Sequence, residues 1–333
     1  MLEATLRALQ QLRAQPAGPL SQGLGASNAQ ECLKQAIRPF NANSLAAGVA
    51  AAGPLPASIG IIVPHGVFTT PIEWTALAVA GGSSVHLKAP NRDPALVRTL
   101  STIFQDEGLP VTWSTQRELP PVDAVVAFGN DDSMDAIAQT YADVPVARYG
   151  HRFSLAWVTG DPELAAKALA VDLARYDTRG CMAPTAIFCT GDGIALGEAL
   201  GAAMQDAEHR WPRGTTDPAL GPEWRRRLGL GRVLGRTWVG AQWAVNVLPA
   251  AYFSPMSLPR MATIHPIKDA DALRQILAPW TPWLSTMGTD TEGVTIEGIH
   301  RVCPLGWMQA PPIPRDHDGR SMLGGLHTPY GEI

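Results

Sequence analysis

Between residues 57 and 158 one pattern repeats, and it limits the fold more than any other feature of this chain. Short runs that are apolar on both faces alternate with segments of helical spacing. Ala57-Ser58-Ile59-Gly60-Ile61-Ile62-Val63 reads as a strand, followed by a helix over 71–80, a strand over 83–88 and a helix over 93–107. A strand near 110–113, the run Ala124-Val125-Val126-Ala127-Phe128, a helix over 131–141 and short strands near 144–148 and 154–158 continue it. Strands without polar alternation, separated by helices, predict an α/β fold whose parallel sheet is covered on both faces. Ligands of such sheets bind beyond the carboxyl ends of the strands.

The flanks follow the same rules. Leu2, Leu6, Leu9 and Leu12 lie at helical spacing, so residues 1–40 predict one or two helices, and a Gly/Ala/Pro-rich stretch (44–56) leads into the first strand. After a helix over 161–175, the pattern resumes with a strand over 185–189, a helix over 192–208, a strand near 237–247 and a strand-helix unit at 261–265 and 269–278. The last thirty residues are rich in Pro and Gly and predict loops.

Composition excludes several classes. The 333 residues suffice for two sizeable lobes, and 46% hydrophobic residues suit large buried cores. A net charge of −4 gives no sign of nucleic-acid binding. Cys32, Cys181, Cys189 and Cys303 are too widely spaced for a zinc site or a disulfide framework, which predicts no metal and a reduced, cytoplasmic setting. The start Met1-Leu2-Glu3-Ala4 lacks a signal peptide's charged head and apolar core, and no run reaches the roughly 20 apolar residues of a membrane span. Trp280, Trp283 and Trp307 could line an acyl tunnel, but large aromatics read first as core.

Chemistry concentrates at Tyr176-Asp177-Thr178-Arg179-Gly180-Cys181-Met182-Ala183-Pro184, between a helix and an apolar run. Positive charge from Arg179 and backbone N–H groups at a glycine turn can stabilise a thiolate at Cys181. Such a thiolate can attack an activated carbonyl and hold the acyl group as a thioester. A buried structural cysteine is the competing reading.

Taken in order, these segments resemble the aldehyde dehydrogenase superfamily. Ile61-Ile62-Val63-Pro64-His65-Gly66-Val67-Phe68 is similar to its first nucleotide-domain strand and turn, and Ala80 through Pro90 to its "AAGN-VVLKP" segment. Val125-Val126-Ala127-Phe128-Gly129-Asn130 is similar to its "FTGS" segment. Within the superfamily the likeness is to fatty-acyl-CoA reductases of the bioluminescence type. It rests on Arg148-Tyr149-Gly150-His151-Arg152-Phe153-Ser154, Arg179-Gly180-Cys181-Met182-Ala183-Pro184, Trp283 through Gly288, and Arg301 through Asp318-Gly319. The N-terminal part reads as shorter than usual for these reductases.

The resemblance implies two Rossmann-like α/β lobes with a cleft between them and Cys181 at its mouth. The expected segments are a helical 1–56, a nucleotide-binding lobe 57–178, a catalytic lobe 179–308 and a loop-rich 309–333. It implies reduction of an acyl-CoA or acyl-carrier thioester to an aldehyde, with Cys181 as nucleophile and His151 as acid/base group. For His151 a purely structural role is the competing reading.

Hydrolysing relatives carry a water-activating glutamate where this chain has Val146 through Arg152, without a carboxylate. A thioester on Cys181 would then persist until a thiol or a hydride takes it. Lys88 would bond the cofactor's ribose, with Pro64, Pro90, Gly129 and Asn130 bordering the site. Asn91 and Arg92, in place of a glutamate, favour a 2′-phosphate and hence NADPH over NADH. Gly129 and Asn130 would let the helix over 131–141 present its N-terminus to the pyrophosphate, although Asp131 and Asp132 oppose a diphosphate there and a carboxylate at a helix N-terminus reads first as a cap. Gly66 replaces an oxyanion-binding asparagine, for which His65 or backbone N–H groups near Cys181 would have to compensate.

Arg225-Arg226-Arg227 could bind coenzyme A phosphates, but reads first as a solvated helix face. The rival functions are a CoA-acylating aldehyde dehydrogenase and a scaffold protein without turnover. An acyl-transferring partner protein and a homo-oligomer fit the reductase reading.

Overall fold

The computed structural model describes residues 1–21, 23–324 and 326. It divides into two compact units: residues 1–22, 29–151 and 311–333, and residues 23–28 with 152–310. Gln22, Gly325 and residues 327–333, and with them the end of the expected segment 309–333, lie outside the described residues.

The chain opens with helices α1 (Leu2–Arg13), α2 (Ala26–Ile37) and α3 (Ala42–Ala52). α3 occupies most of the Gly/Ala/Pro-rich lead-in that sequence reading left unassigned. Asn41 caps it in a capping box, accepting the Ser44 amide while the Ser44 hydroxyl accepts the Asn41 amide, and alanine sustains it.

The alternating pattern then builds β1 (Ser58–Ile62), α4 (Thr70–Ala80), β2 (Ser84–Lys88), α5 (Ala95–Asp106), β3 (Val111–Ser114), β4 (Ala124–Phe128), α6 (Asp131–Thr140) and β5 (Val146–Tyr149). The five strands are parallel in the order β3-β2-β1-β4-β5. Strand order reverses between β1 and β4, the point where such sheets open a crevice at their carboxyl edge.

The second unit contains β6 (Phe153–Val158), α7 (Pro162–Ala174), β7 (Pro184–Cys189), α8 (Gly193–Arg210), α9 (Gly221–Leu234), β8 (Arg236–Val239), β9 (Ala244–Val247), β10 (Met261–Pro266), α10 (Ala270–Leu277), β11 (Leu284–Thr289) and β12 (Arg301–Pro304). Its sheet runs β12-β11-β6-β7-β10-β9-β8, parallel except for the β8–β9 pair. β6 and α7, which sequence reading placed with the nucleotide lobe, belong to this sheet and its cover: β6 pairs with β7 and β11. The expected single strand near 237–247 is instead a hairpin, closed by a Gly240 amide to Trp243 carbonyl bond of 3.1 Å.

A short antiparallel ribbon, β13 (Asp316–His317) and β14 (Arg320–Ser321), returns to the first unit, where loops had been expected. His317 stacks edge-on against Tyr149 at 4.8 Å, and Arg320 lies over the same ring at 5.3 Å. Aromatic faces and cations attract one another in this way, which fixes the ribbon against the end of β5.

α7 and α8 bury Leu169, Leu173, Leu196 and Leu200 against Ala156, Ile187 and Val245 of the second sheet. Leu169 is fully buried there. Leu169→Ala should lower stability in urea unfolding followed by tryptophan fluorescence, by about 2–5 kcal/mol.

Candidate active site

Cys181 occupies the first corner of a tight turn, Gly180 to Ala183, closed by the Ala183 amide donating to the Gly180 carbonyl at 3.0 Å. β7 begins immediately after it, and the residue is partly exposed. Before it, Tyr176, Asp177 and Thr178 hold φ of 52°, 51° and 60°. Three successive non-glycine residues in the left-handed region cost about 1–3 kcal/mol each, so surrounding bonds must over-determine them.

Those bonds are present. The fully buried Asp177 carboxylate accepts from Arg260 Nε at 2.8 Å, the Gly214 amide at 3.0 Å and Asn28 Nδ2 at 3.3 Å. Arg179 reaches its second oxygen at 3.8 Å. The Thr178 hydroxyl donates to Leu173 O at 2.9 Å and accepts the Arg260 amide at 3.2 Å, while Ser257 donates to the Thr178 carbonyl.

The far side of the turn is held as firmly. The buried Ser154 hydroxyl donates to the Cys181 carbonyl at 2.6 Å and accepts the Thr286 amide at 3.1 Å. Arg301 donates to the Trp307 and Met308 carbonyls at 2.8 and 2.7 Å and meets the Met182 sulfur at 3.9 Å. The segments around Ser154, Cys181, Thr286 and Arg301, scattered over some 150 residues of sequence, thus converge on one turn. Sequence reading quoted Ser154 and Asp177 only as members of their motifs and gave no role to either, nor to Arg260, because their partners are visible only after folding.

The other cysteines differ. Burial pushes the Cys189 and Cys303 thiols up to about 11, and Cys32 is fully buried. A thiolate is disfavoured in such apolar surroundings.

Asp172, on α7, organises the segment after β12. Its carboxylate accepts from the Gly306 amide at 2.6 Å and the Met308 amide at 3.0 Å. Burial nevertheless raises its pKa to about 7, against the pull of those amides and of Arg175.

The remaining predicted site residues gather at the carboxyl edge of the first sheet. Pro64 follows β1, with Gly66 at φ 139° just beyond, a conformation that suits glycine and would strain an asparagine. Lys88 ends β2, and Pro90, Asn91 and Arg92 form the turn into α5, the last two exposed. Gly129 follows β4, and Asn130 caps α6 by accepting the Ser133 amide at 2.9 Å. His151, exposed beyond β5, donates its amide to Asp131 at 3.1 Å. The first unit therefore holds these residues together, and the second holds Cys181.

The basic stretch resolves into intrahelical pairs: Arg226 and Arg227 both bond Glu223. Trp280 joins Phe153 and Phe253 in a partly buried aromatic cluster, whereas Trp283 and Trp307 are exposed.

Two largely parallel α/β sheets in this arrangement make an aldehyde-dehydrogenase-like fold. Solved structures match that architecture. An oxidoreductase from Marinobacter aquaeolei aligns at a TM-score of 0.76 and 14% identity, covering 98% of this chain and 82% of that one. Aldehyde dehydrogenase 21 from Physcomitrella patens, in complex with succinate, aligns at 0.74 and 12%, with the same coverage of both chains. A 1-pyrroline-5-carboxylate dehydrogenase from Thermus with bound NAD aligns at 0.72 and 13%, covering 98% and 78%. At these identities the likeness establishes the fold.

The family model for acyl-CoA reductase (LuxC) matches residues 87–328, and the chain belongs to that family. A long-chain acyl-protein thioester reductase of Aliivibrio fischeri is 27% identical over 109 residues, 32% of this chain. The aligned segment spans 22% of that relative's length.

Asp172 generates a pH prediction. Its pKa is raised on folding from 3.8 to about 7, so its contribution to stability is full below pH 3.8 and lost as pH rises through 7. Thermal melts of wild type and Asp172→Asn from pH 4 to 8 should differ in slope. The wild type should show an added downward trend with rising pH that the variant lacks.

Proposed function

We propose that this chain reduces an acyl thioester, carried on coenzyme A or an acyl carrier, to an aldehyde through an S-acyl intermediate on Cys181. The observation that carries this reading is the pinned, partly exposed turn at Cys181, beside three cysteines that burial makes poor nucleophiles. Family membership sets the reaction class.

The Cys181 thiolate adds to the thioester carbonyl, the bond from that carbon to the carrier sulfur breaks, and the carrier leaves as a thiolate that takes up a proton. The developing oxyanion would draw on backbone N–H groups at the turn; Arg179, two residues from Cys181 in sequence, directs its guanidinium to the Gly23 and Thr215 carbonyls and to Asp177. A reduced nicotinamide, when bound, would supply the hydride for the thioester carbon; Cys181 then leaves as thiolate and the aldehyde is released. His151 is the proposed acid/base group, with its backbone fixed by Asp131. Because Val146 through Arg152 contain no carboxylate, water is not activated there and the acyl group stays on sulfur.

The carboxyl edge of the first sheet fits the adenosine half of a nicotinamide cofactor. Lys88 would meet the ribose, and Asn91 and Arg92 a 2′-phosphate, which favours NADPH over NADH. The first turn of α6 fits a diphosphate less well, since it carries Asp131 and Asp132 and Asn130 already spends its side-chain oxygen on Ser133. Gly66 supports the rival scaffold reading, because it offers no side-chain amide to an oxyanion and that loss typically costs about 2.7–4 kcal/mol.

Incubation with an acyl-CoA should add the acyl mass to the intact protein, and Cys181→Ala should abolish the adduct. Supplied with aldehyde and oxidised cofactor but no coenzyme A, the protein should stop after one turnover and restart when coenzyme A is added. Continuous release of acid without coenzyme A would exclude this mechanism.

Calorimetric titration should show tighter binding of NADPH than NADH. Arg92→Ala should weaken NADPH by about ten- to a hundredfold, the worth of one hydrogen bond to a charged group, and leave NADH nearly unchanged. Equal loss for both cofactors would remove Arg92 from the 2′-phosphate.

A further inference from the structure

We propose that the buried Asp177–Arg260 pair is a positioning element for Cys181, setting the direction in which the turn presents the thiol. This rests on the reading of Cys181 as the acylated nucleophile.

The left-handed run Tyr176 to Thr178 has no internal reason to persist, since none of the three residues is glycine. Its local bonds are those of Thr178 to Leu173 and of the Arg179 amide to the Tyr176 carbonyl, with Arg179 also approaching Asp177; the bonds that fix the Asp177 carboxylate come from distant segments. Asn28, Gly214 and Arg260 converge on the Asp177 carboxylate, and Ser257 on the Thr178 carbonyl. Arg260 is fully buried, sits at φ 50° itself, and directs both its amide and its guanidinium to the run.

The geometry also closes a ring. Arg260 immediately precedes β10, and β10 pairs in parallel with β7, with Ile264 opposite Ile187. β7 begins right after the Cys181 turn. One strand pair therefore fixes both ends of the segment 178–184: the start through Arg260, the end through the β7 register and the Ser154 bond to Cys181. If the ion pair relaxes, the leading end can rotate while the trailing end stays in place, and the thiol changes direction. A need for stability alone does not explain the pair, because apolar residues of similar volume often serve as well as a buried ion pair. Its Nη1 atom has no hydrogen-bond partner among the described residues, a cost that a purely stabilising device would avoid.

The test compares wild type with Asp177→Asn, Ser257→Ala, Arg260→Ala and Arg260→Lys. Ser257 is exposed and its loss leaves the buried charges intact, so that variant tests the anchoring of the run by itself, and Arg260→Lys, which keeps the charge, decides the role of the pair if Asp177→Asn does not fold. Two quantities are read: amide hydrogen exchange across residues 175–183, and single-turnover acyl transfer from palmitoyl-CoA and acetyl-CoA, normalised to folded protein. Exchange should quicken in that segment and stay unchanged in β1 to β5.

The maximal acylation rate should fall about 10²-fold in Asp177→Asn, the scale of an ångström-sized misplacement, with half-saturation by the thioester little changed. Ser257→Ala should show a smaller loss of the same kind, and Arg260→Lys should recover part of what Arg260→Ala loses. Folded variants with wild-type exchange over 175–183, or with a wild-type acylation rate, would overturn the proposal. If neither thioester acylates the wild type, the reductase reading falls, and the exchange measurement alone decides whether the pair holds the turn.

Discussion

The second unit is organised around one buried ion pair. Asp177 and Arg260 are both fully excluded from solvent and 2.8 Å apart. Removing two charges from water is expensive, and their attraction offsets it only when the remaining hydrogen-bonding capacity is met. Asp177 meets it with the Gly214 amide, the Asn28 amide and a longer approach by Arg179. The pair and these partners lie in four separate stretches: residues 23–28, the segment after α7, residues 212–215 and the entry to β10. Losing Asp177 would remove the carboxylate that Arg260 pairs with in the interior, at a cost of about 3–5 kcal/mol.

From that pair the chemistry of the turn follows. α7 ends in a conformation that ordinary residues avoid, and the chain then reverses through Gly180 and Cys181 into β7. Ser154 grips the Cys181 carbonyl from β6, and its oxygen is steadied by the Thr286 amide of β11. A hydrogen bond onto a peptide carbonyl polarises the whole peptide unit, so the following amide, that of Met182, becomes a better donor. Bonds on both sides of Cys181 fix the direction of this partly exposed turn, as the proposed role of its thiol requires.

The first unit solves a different problem. Its sheet reverses strand order between β1 and β4 and opens there at its carboxyl edge. The ribbon β13–β14 covers the β5 end of that edge. Tyr149 stacks on Phe128 at 5.2 Å and packs against Trp74 and His317, while Arg320 bonds the Arg148 carbonyl at 2.8 Å. Burial raises the Tyr149 hydroxyl to about 12, so it stays neutral. The result is a rigid aromatic wall at β4 and β5, with the cationic residues Lys88 and Arg92 on the far side, at β2.

The sequence by itself determined the parallel α/β class, because strands covered on both faces must be apolar throughout and helices must follow them. It also offered Cys181 as a candidate nucleophile, because a cysteine beside Arg179 and Gly180 carries its chemical signal locally. The carboxyl-edge residues were legible for the same reason: each directly follows a strand the pattern reveals. Tertiary structure decided what depends on distant partners. The pattern found β6, but which sheet it joins depended on β7 and β11. α3 needed its Asn41 cap to outweigh glycine and proline nearby. The roles of Asn28, Ser154, Asp177 and Arg260 had no local signature, because a buried polar side chain is defined by the groups that satisfy it, and those groups lie up to 149 residues away in sequence.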